Sequence, residues 1–221
     1  ATSREINEYF VNEGIEVPEI QVLINEPKQE VEPNVTLPKI ETPQALASMG
    51  ITNALEPLIE TIKLLENNEN IHFMLVGSGD LKDIFEEQLK NCDNVTFLPR
   101  IGQNEVKYFL QKCDILYLST KDSKVWEYGQ SMNKVVEYMV AGKPIIASYT
   151  GYPSMINEAN CGVFVNSSNP IDLKETILNI ANKNVQDIKQ LGEKGKKWIY
   201  ENRQYSRLAK EYINKIEEFR R

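Results

Sequence analysis

Met132-Asn133-Lys134-Val135-Val136-Glu137-Tyr138-Met139-Val140-Ala141-Gly142-Lys143-Pro144-Ile145-Ile146-Ala147-Ser148 reads as one helix running straight into one strand. The pattern predicts a helix over Met132 to Ala141, with Gly142 as its C-terminal stop. Pro144 to Ser148 is then a short, continuous apolar strand. Such a strand has no polar alternation, so both of its faces are covered.

The same unit repeats outward in both directions. Toward the N-terminus, strands are predicted at Gln44–Met49, Ile71–Val76, Val95–Leu98 and Asp114–Leu118. Between them, Leu55, Leu58, Ile59, Ile62 and Leu65 have helical spacing, and Asp80–Asn91 and Glu105–Lys112 read as helices. Toward the C-terminus, Gly162–Val165 is a sixth strand and the chain from Ile171 onward reads as helical. Leu208, Tyr212, Ile216 and Phe219 give the last helix one apolar stripe. Apolar strands alternating with amphipathic helices predict an α/β fold: a doubly wound, Rossmann-like parallel sheet of about 140–175 residues.

The front of the chain differs. Five of the ten prolines fall between Pro18 and Pro43, and of the eleven glycines only Gly14 precedes residue 50. Residues 1–43 carry three Lys/Arg against nine Asp/Glu, whereas the remainder is close to neutral within a net charge of −7. Arg4 to Glu13 can form a helix and Ile20 to Ile24 a strand, too little to bury a core. Residues 1–26 are therefore expected to be the end of a preceding domain, and 27–43 a semi-rigid linker. The Rossmann-like domain is expected over 44–185 and C-terminal helices over 186–221.

Composition excludes several classes. With 41% hydrophobic and 26% charged residues, a wholly disordered chain is excluded. No run of 18 apolar residues suits a membrane-spanning helix, and the first residues lack a signal-peptide core. Cys92, Cys113 and Cys161 are few and scattered, as expected of reduced cytosolic thiols. The single histidine, His72, excludes a His–His metal site. It is expected to be buried in the second strand, where it could not serve a catalytic triad. The charge distribution is not that of a nucleic-acid binder. Lys194, Lys196 and Lys197 are expected on a solvated face, with an anionic membrane surface as the alternative.

Ligands of such sheets bind at the carboxyl ends of the strands, so the loops there carry the candidate residues. Gly50, after the first strand, permits close backbone approach. Gly77 and Gly79, after the second, precede a helix, but Lys82 at the third glycine position rules out a dinucleotide fingerprint. Arg100, after the third, can meet an anion or stack on a base. The loop after the fourth strand is the most informative. Backbone N–H groups of Ser131, Met132 and Asn133 at the helix start could hold a diphosphate, with Lys134 as a point charge. Glu137 interrupts the apolar run of that helix, and helical side chains lean toward the N-terminus. Its carboxylate would then face the site, able to accept two hydrogen bonds from a ribose diol. An ordinary exposed glutamate is the competing reading.

Gly129-Gln130-Ser131-Met132-Asn133-Lys134-Val135-Val136-Glu137-Tyr138-Met139-Val140-Ala141-Gly142-Lys143-Pro144 resembles the donor-site signature of retaining GT-B glycosyltransferases. The subset it resembles reads Y-G-x-S-x-N-K-x-x-E-Y-M-A-A-G-K-P. Met49–Glu56, Leu75–Gly79, Asn94–Pro99, Cys113–Ile115 and Gly151–Glu158 resemble further segments of the group in the same order. The resemblance covers residues 44–221.

The resemblance implies the C-terminal half of a GT-B architecture. It implies that Glu137 binds the ribose hydroxyls of a nucleotide sugar, and that Ser131, Met132 and Asn133 meet its diphosphate. Arg100 and Ile101 would lie beside the base, and Gly50 would face the interdomain cleft. No cofactor or metal is implied, in keeping with the lack of an Asp-x-Asp motif. The implied donor is a UDP-sugar. The implied acceptor is a glycan or lipid-linked molecule of cell-surface polysaccharide or lipopolysaccharide synthesis, bound by an N-terminal domain this chain lacks. The expected location is cytoplasmic, with peripheral association at the inner membrane face as an extension. The chain alone is expected to bind donor weakly and transfer little.

Two positions depart from the family pattern. The wider group has a glutamate eight residues before Glu137; here that position is Gly129, and Glu127, two residues earlier, is the candidate substitute as a catalytic residue. The group's basic residues near its first turn and helix are represented only by Lys63, with Lys134 or Lys124 as alternatives. Two other functions fit the same fold: a non-catalytic nucleotide- or carbohydrate-binding module, and a sugar-nucleotide epimerase.

Overall fold

The computed structural model describes residues 44–48, 54–121, 123–124, 132–148, 154–166 and 169–219. The expectations for residues 1–43 lie outside these. The chain divides into two compact units; one holds residues 37–197, and the other takes in residues 198–221.

Six strands form one parallel sheet: β1 Gln44–Ser48, β2 His72–Val76, β3 Val95–Leu98, β4 Ile115–Ser119, β5 Ile145–Ser148 and β6 Gly162–Val165. Their spatial order is β3-β2-β1-β4-β5-β6. The chain winds outward from β1 to β3, crosses over, and winds outward again from β4 to β6. The switch in strand order therefore falls between β1 and β4, whose Ala45 and Leu46 pair with Ile115 and Leu116. This is the doubly wound sheet expected from the apolar runs.

The helices are α1 Glu56–Leu64, α2 Lys82–Gln88, α3 Gln103–Lys112, α4 Asn133–Ala141, α5 Met155–Ala159, α6 Pro170–Ala181, α7 Val185–Asn202 and α8 Tyr205–Phe219. On one face of the sheet, Leu58, Ile59 and Ile62 of α1 and Leu173, Ile177 and Ile180 of α6 pack with Phe73, Leu75, Ile115 and Tyr117. The strands put Met74, Leu116 and Leu118 on the opposite face by simple alternation. All three are buried. Fully burying one such side chain contributes about 1.5–3 kcal/mol. The Thr61 hydroxyl lies 2.7 Å from the Pro57 carbonyl and 3.0 Å from that of Pro170, tying α1 to the start of α6. Asn94 is buried at the entry to β3, and its amide donates to the Ile62 carbonyl at 3.1 Å.

Several local expectations shift. The helix expected over Asp80–Asn91 is only Lys82–Gln88, while α3 begins two residues earlier than Glu105. Gly102 explains the second change: its N–H donates to the Glu105 carboxylate at 2.8 Å, which starts the helix. His72 is half-buried, not buried, because it opens β2; its Nε2 lies 2.8 Å from the Thr96 hydroxyl. The C-terminal helical stretch breaks into three. Asn169 caps α6 by accepting from the N–H groups of Ile171 and Asp172, and Asn184 accepts from the N–H of Asp187 at the start of α7. Such caps are worth about 1 kcal/mol each.

In the second unit, two residues of the predicted α8 stripe are exposed, Tyr212 at 70% and Ile216 at 39%, while Leu208 is half-buried. The Arg203 guanidinium lies over the Trp198 ring, 5.8 Å from its centroid.

Candidate nucleotide-sugar site

Apart from Lys63, the described candidate residues follow strands of the same direction and so fall toward the carboxyl edge of the sheet. Gly77 leaves β2 with φ 134°, a conformation that only glycine adopts readily. Its N–H donates to the Leu98 carbonyl at 3.2 Å, so the exits of β2 and β3 are joined. Gly79 is exposed and accepts from the Lys82 N–H at 3.1 Å. Arg100 is exposed and Ile101 half-buried in the loop after β3. Gly50, Glu127 and Ser131 lie outside the described residues.

Met132, Asn133, Lys134 and Glu137 come together on the start of α4. Met132 is the N-cap residue, in an extended conformation, and its side chain makes no capping hydrogen bond. The first N–H groups of a helix have no intrahelical acceptors, and the helix dipole adds positive character there. Val135, Tyr138 and Met139 are buried and fix the face on which α4 rests. Lys134 and Glu137, three apart, share a different face: Lys134 is half-buried and Glu137 exposed. Desolvation by the surrounding protein lowers the Lys134 pKa, with Glu137 opposing the shift. Desolvation likewise raises the Glu137 pKa, with Lys134 opposing it. Each charge partly offsets the cost of holding the other out of bulk water.

Neighbouring strands are about 4.8 Å apart, so the exits of β3, which Arg100 follows, and of β4 are separated by roughly 14 Å across the edge. Lys63 sits elsewhere. It is in the last turn of α1, away from the helix start that faces the carboxyl edge, and pairs with Glu60 at 2.9 Å.

The sequence reading missed two features. Tyr117, Ser119 and Thr120 at the end of β4 are buried; the Tyr117 hydroxyl lies against the Ser119 and Ser148 side chains, and the Thr120 hydroxyl has no hydrogen-bond partner. The polar pair Ser119-Thr120 closing an apolar strand was the available signal. Gly192 and Gly195 of α7 were also passed over. A Cβ on Gly192 would come 2.0 Å from the Gly142 carbonyl oxygen, and one on Gly195 would come 2.9 Å from the Cys161 sulfur. Two glycines three apart in a helical stretch were the clue.

Among the described residues no group of three or more His, Cys, Asp or Glu is placed to hold a metal ion, and no helix is long and apolar enough to cross a membrane.

Known proteins share this architecture. An uncharacterized glycosyltransferase of Methanocaldococcus jannaschii, MJ1178, is 33% identical over 144 residues, covering 64% of this chain and 38% of that protein. The chain thus spans well under half the length of this relative. Among solved structures, WaaG, a glycosyltransferase involved in lipopolysaccharide biosynthesis, is similar with a TM-score of 0.59 at 18% identity, covering 93% of this chain and 49% of that one. Sucrose-phosphate synthase from Thermosynechococcus elongatus gives 0.62 at 15% identity, covering 81% and 46%. Anabaena Alr3699/HepE, solved in complex with UDP and glucose, gives 0.60 at 16% identity, covering 80% and 48%. The sheet and its helices are the Rossmann-like half of a GT-B architecture. With the family description "Glycosyl transferases group 1" matching residues 45–183, the chain belongs to the group 1 glycosyltransferases.

Proposed function

We propose that this chain is the donor-binding, C-terminal half of a retaining glycosyltransferase that takes a nucleotide-diphosphate sugar, a UDP-sugar by preference. The supporting observation is the start of α4: Met132 as an extended N-cap residue, Lys134 in the first turn and Glu137 one turn further on. A helix start offers N–H donors and a partial positive charge to a diphosphate, and Lys134 adds a full charge. Glu137 is exposed and can accept from both hydroxyls of a ribose. Arg100, exposed in the loop after β3, is the residue we assign to the base.

In the reaction, the bond from the sugar's anomeric carbon to the diphosphate breaks, a bond to the acceptor oxygen forms, and the acceptor's hydroxyl proton passes to the departing diphosphate or to solvent. The diphosphate leaves with added negative charge, which the α4 N–H groups and Lys134 stabilise; no metal is required for that role. The acceptor, a glycan or lipid-linked molecule, would be held by the first domain of the two-domain architecture. The 221-residue chain alone is expected to bind donor but not to transfer sugar, since transfer needs both reactants oriented in one cleft. The expected setting is the cytoplasm, at the inner membrane face where lipid-linked acceptors are made.

The test is calorimetric titration with UDP, GDP, UDP-glucose and UDP-N-acetylglucosamine, with Glu137→Ala alongside. Saturable binding of one nucleotide, weakened at least tenfold in the variant, supports the reading. Equal binding by both proteins would remove Glu137 from the site. No binding by the chain, or by a two-domain form, would remove the donor reading itself.

A further inference from the structure

We propose that Lys134 is a positioning residue for the ribose contact: its ammonium keeps the Glu137 carboxylate ionised while a diphosphate is bound one turn away. This rests on the donor reading above and deepens it, giving Lys134 a second task beside its charge on the diphosphate.

The donor site asks one helix to hold two anions. The N–H groups that start α4 attract the diphosphate, and Glu137 stands one turn further along the same nine-residue helix. One turn advances a helix by about 5.4 Å. That is inside the Debye length of about 8 Å at physiological salt, so the diphosphate and the carboxylate repel with little screening. A carboxylate under such repulsion takes up a proton, and it then has less capacity to accept from a ribose diol.

Lys134 is placed to prevent this. Residues three apart on a helix have Cβ atoms about 5–6 Å apart on one face. Lys134 lies between the helix start and Glu137 along the axis. It is half-buried, while Glu137 is exposed and open to a ligand. Desolvation raises the Glu137 pKa and Lys134 opposes it; desolvation lowers that of Lys134 and Glu137 opposes it.

Other charges stand elsewhere. α7 brings Glu193 and Lys196 to Gly142, at the opposite end of α4, where Lys143 follows. α3, packed beside α4, carries Glu105, Lys107 and Lys112. Lys121 and Lys124 lie in the loop before α4, and β4 and β5, which α4 connects, contain no charged residue. Among the described residues, the charge that acts on Glu137 is Lys134. Cys113 and Tyr138 are buried and kept protonated chiefly by desolvation.

The experiment measures affinity by calorimetry from about pH 8 down to about pH 5, across the range in which a raised glutamate titrates. The probe is whichever of UDP-glucose, UDP-N-acetylglucosamine and GDP-mannose wild type binds most tightly. Their diphosphates, esterified at both ends, carry no group that titrates near neutral pH. Wild type loses affinity on acidification. Lys134→Met and Lys134→Gln bind roughly tenfold more weakly at the upper end of the range. Their affinity is then flat or rises on acidification, because Glu137 takes up a proton as the diphosphate arrives. Titrations in two buffers of different ionisation heat read that uptake directly, and wild type shows none. Lys134→Arg keeps the wild-type slope, and Glu137→Gln is flat with or without Lys134. A point charge on the diphosphate accounts for weaker binding alone; only the proposed role moves the slope. If the neutral Lys134 variants keep the wild-type slope and take up no proton, the proposal is overturned and the donor reading stands. A Glu137→Gln profile that titrates like wild type overturns it as well. If wild type, alone or in a two-domain form, binds none of the three probes, the donor reading falls and takes this proposal with it.

Discussion

Gly192 of α7 lies against Gly142, the left-handed residue that ends α4, so closely that a methyl group would come 2.0 Å from the Gly142 carbonyl oxygen. Gly142 has φ 70°, which lets its N–H bond back to the Met139 carbonyl at 3.0 Å while the chain turns into β5. The far end of α4 carries Lys134 and the first turn of the candidate site. A nine-residue helix behaves as a rigid rod, so what holds its C-terminal end also sets where its first turn stands.

Gly192→Ala should therefore be costly. The obstacle is backbone, which cannot rotate away, so about 3 kcal/mol is expected, or roughly 6–12 °C in melting temperature. Gly195→Ala meets the Cys161 side chain at 2.9 Å and should cost less. Thermal melts of the two variants rank them directly. Equal or negligible losses would show that α7 does not rest on this turn.

Donor binding should weaken on acidification earlier than an ordinary glutamate would cause. The Glu137 pKa is raised, chiefly by desolvation. Its carboxylate thus takes up a proton above the usual value of about 4.3 as pH falls, and a protonated carboxyl is a poorer acceptor for two ribose hydroxyls. For stability the sign is opposite. A carboxyl with a raised folded pKa costs the fold stability once ionised, and protonation removes that cost. Titration of nucleotide affinity against pH, with Glu137→Gln as the flat reference, checks this; identical profiles would exclude Glu137 as the titrating group.

The three thiols should separate by reactivity. Burial pushes Cys113 up to about 12 and Cys161 up to about 11, and both are fully enclosed. Cys92 is half-buried, its pKa raised by burial and by Glu66. A chromogenic disulfide reagent should label one thiol slowly in the native chain and three in denaturant. Rapid labelling of two or three would contradict the packing of β5 and α7 around Cys161.

The apolar runs at His72–Val76, Ile115–Ser119 and Ile145–Ser148 were sufficient to declare a parallel sheet, because strands covered on both faces have no polar alternation to confuse. Gly142 announced the end of α4 for an equally local reason: the left-handed conformation needs a residue without Cβ. The signature around Glu137 was likewise legible, since the spacing of Lys134 and Glu137 on one helix is a property of the chain alone. Element ends were less so. Gly102 starts α3 through the Glu105 side chain, and the breaks after α6 and α7 depend on local caps and turns that periodicity does not register.

What the tertiary structure decided is what comes from pairing distant segments. The strand order places the switch between β1 and β4, and that order is set by which strands pair, not by any one of them. The burial of Ser119 and Thr120 is invisible in sequence, because burial is a relation to the residues around them. Lys63 was a candidate cation until the direction of α1 put it in the helix's last turn, against Glu60. Local propensity and period are written residue by residue, and so can be read along the chain. Burial, register and electrostatic partnership depend on contacts between segments far apart in sequence, and exist only once the sheet has formed.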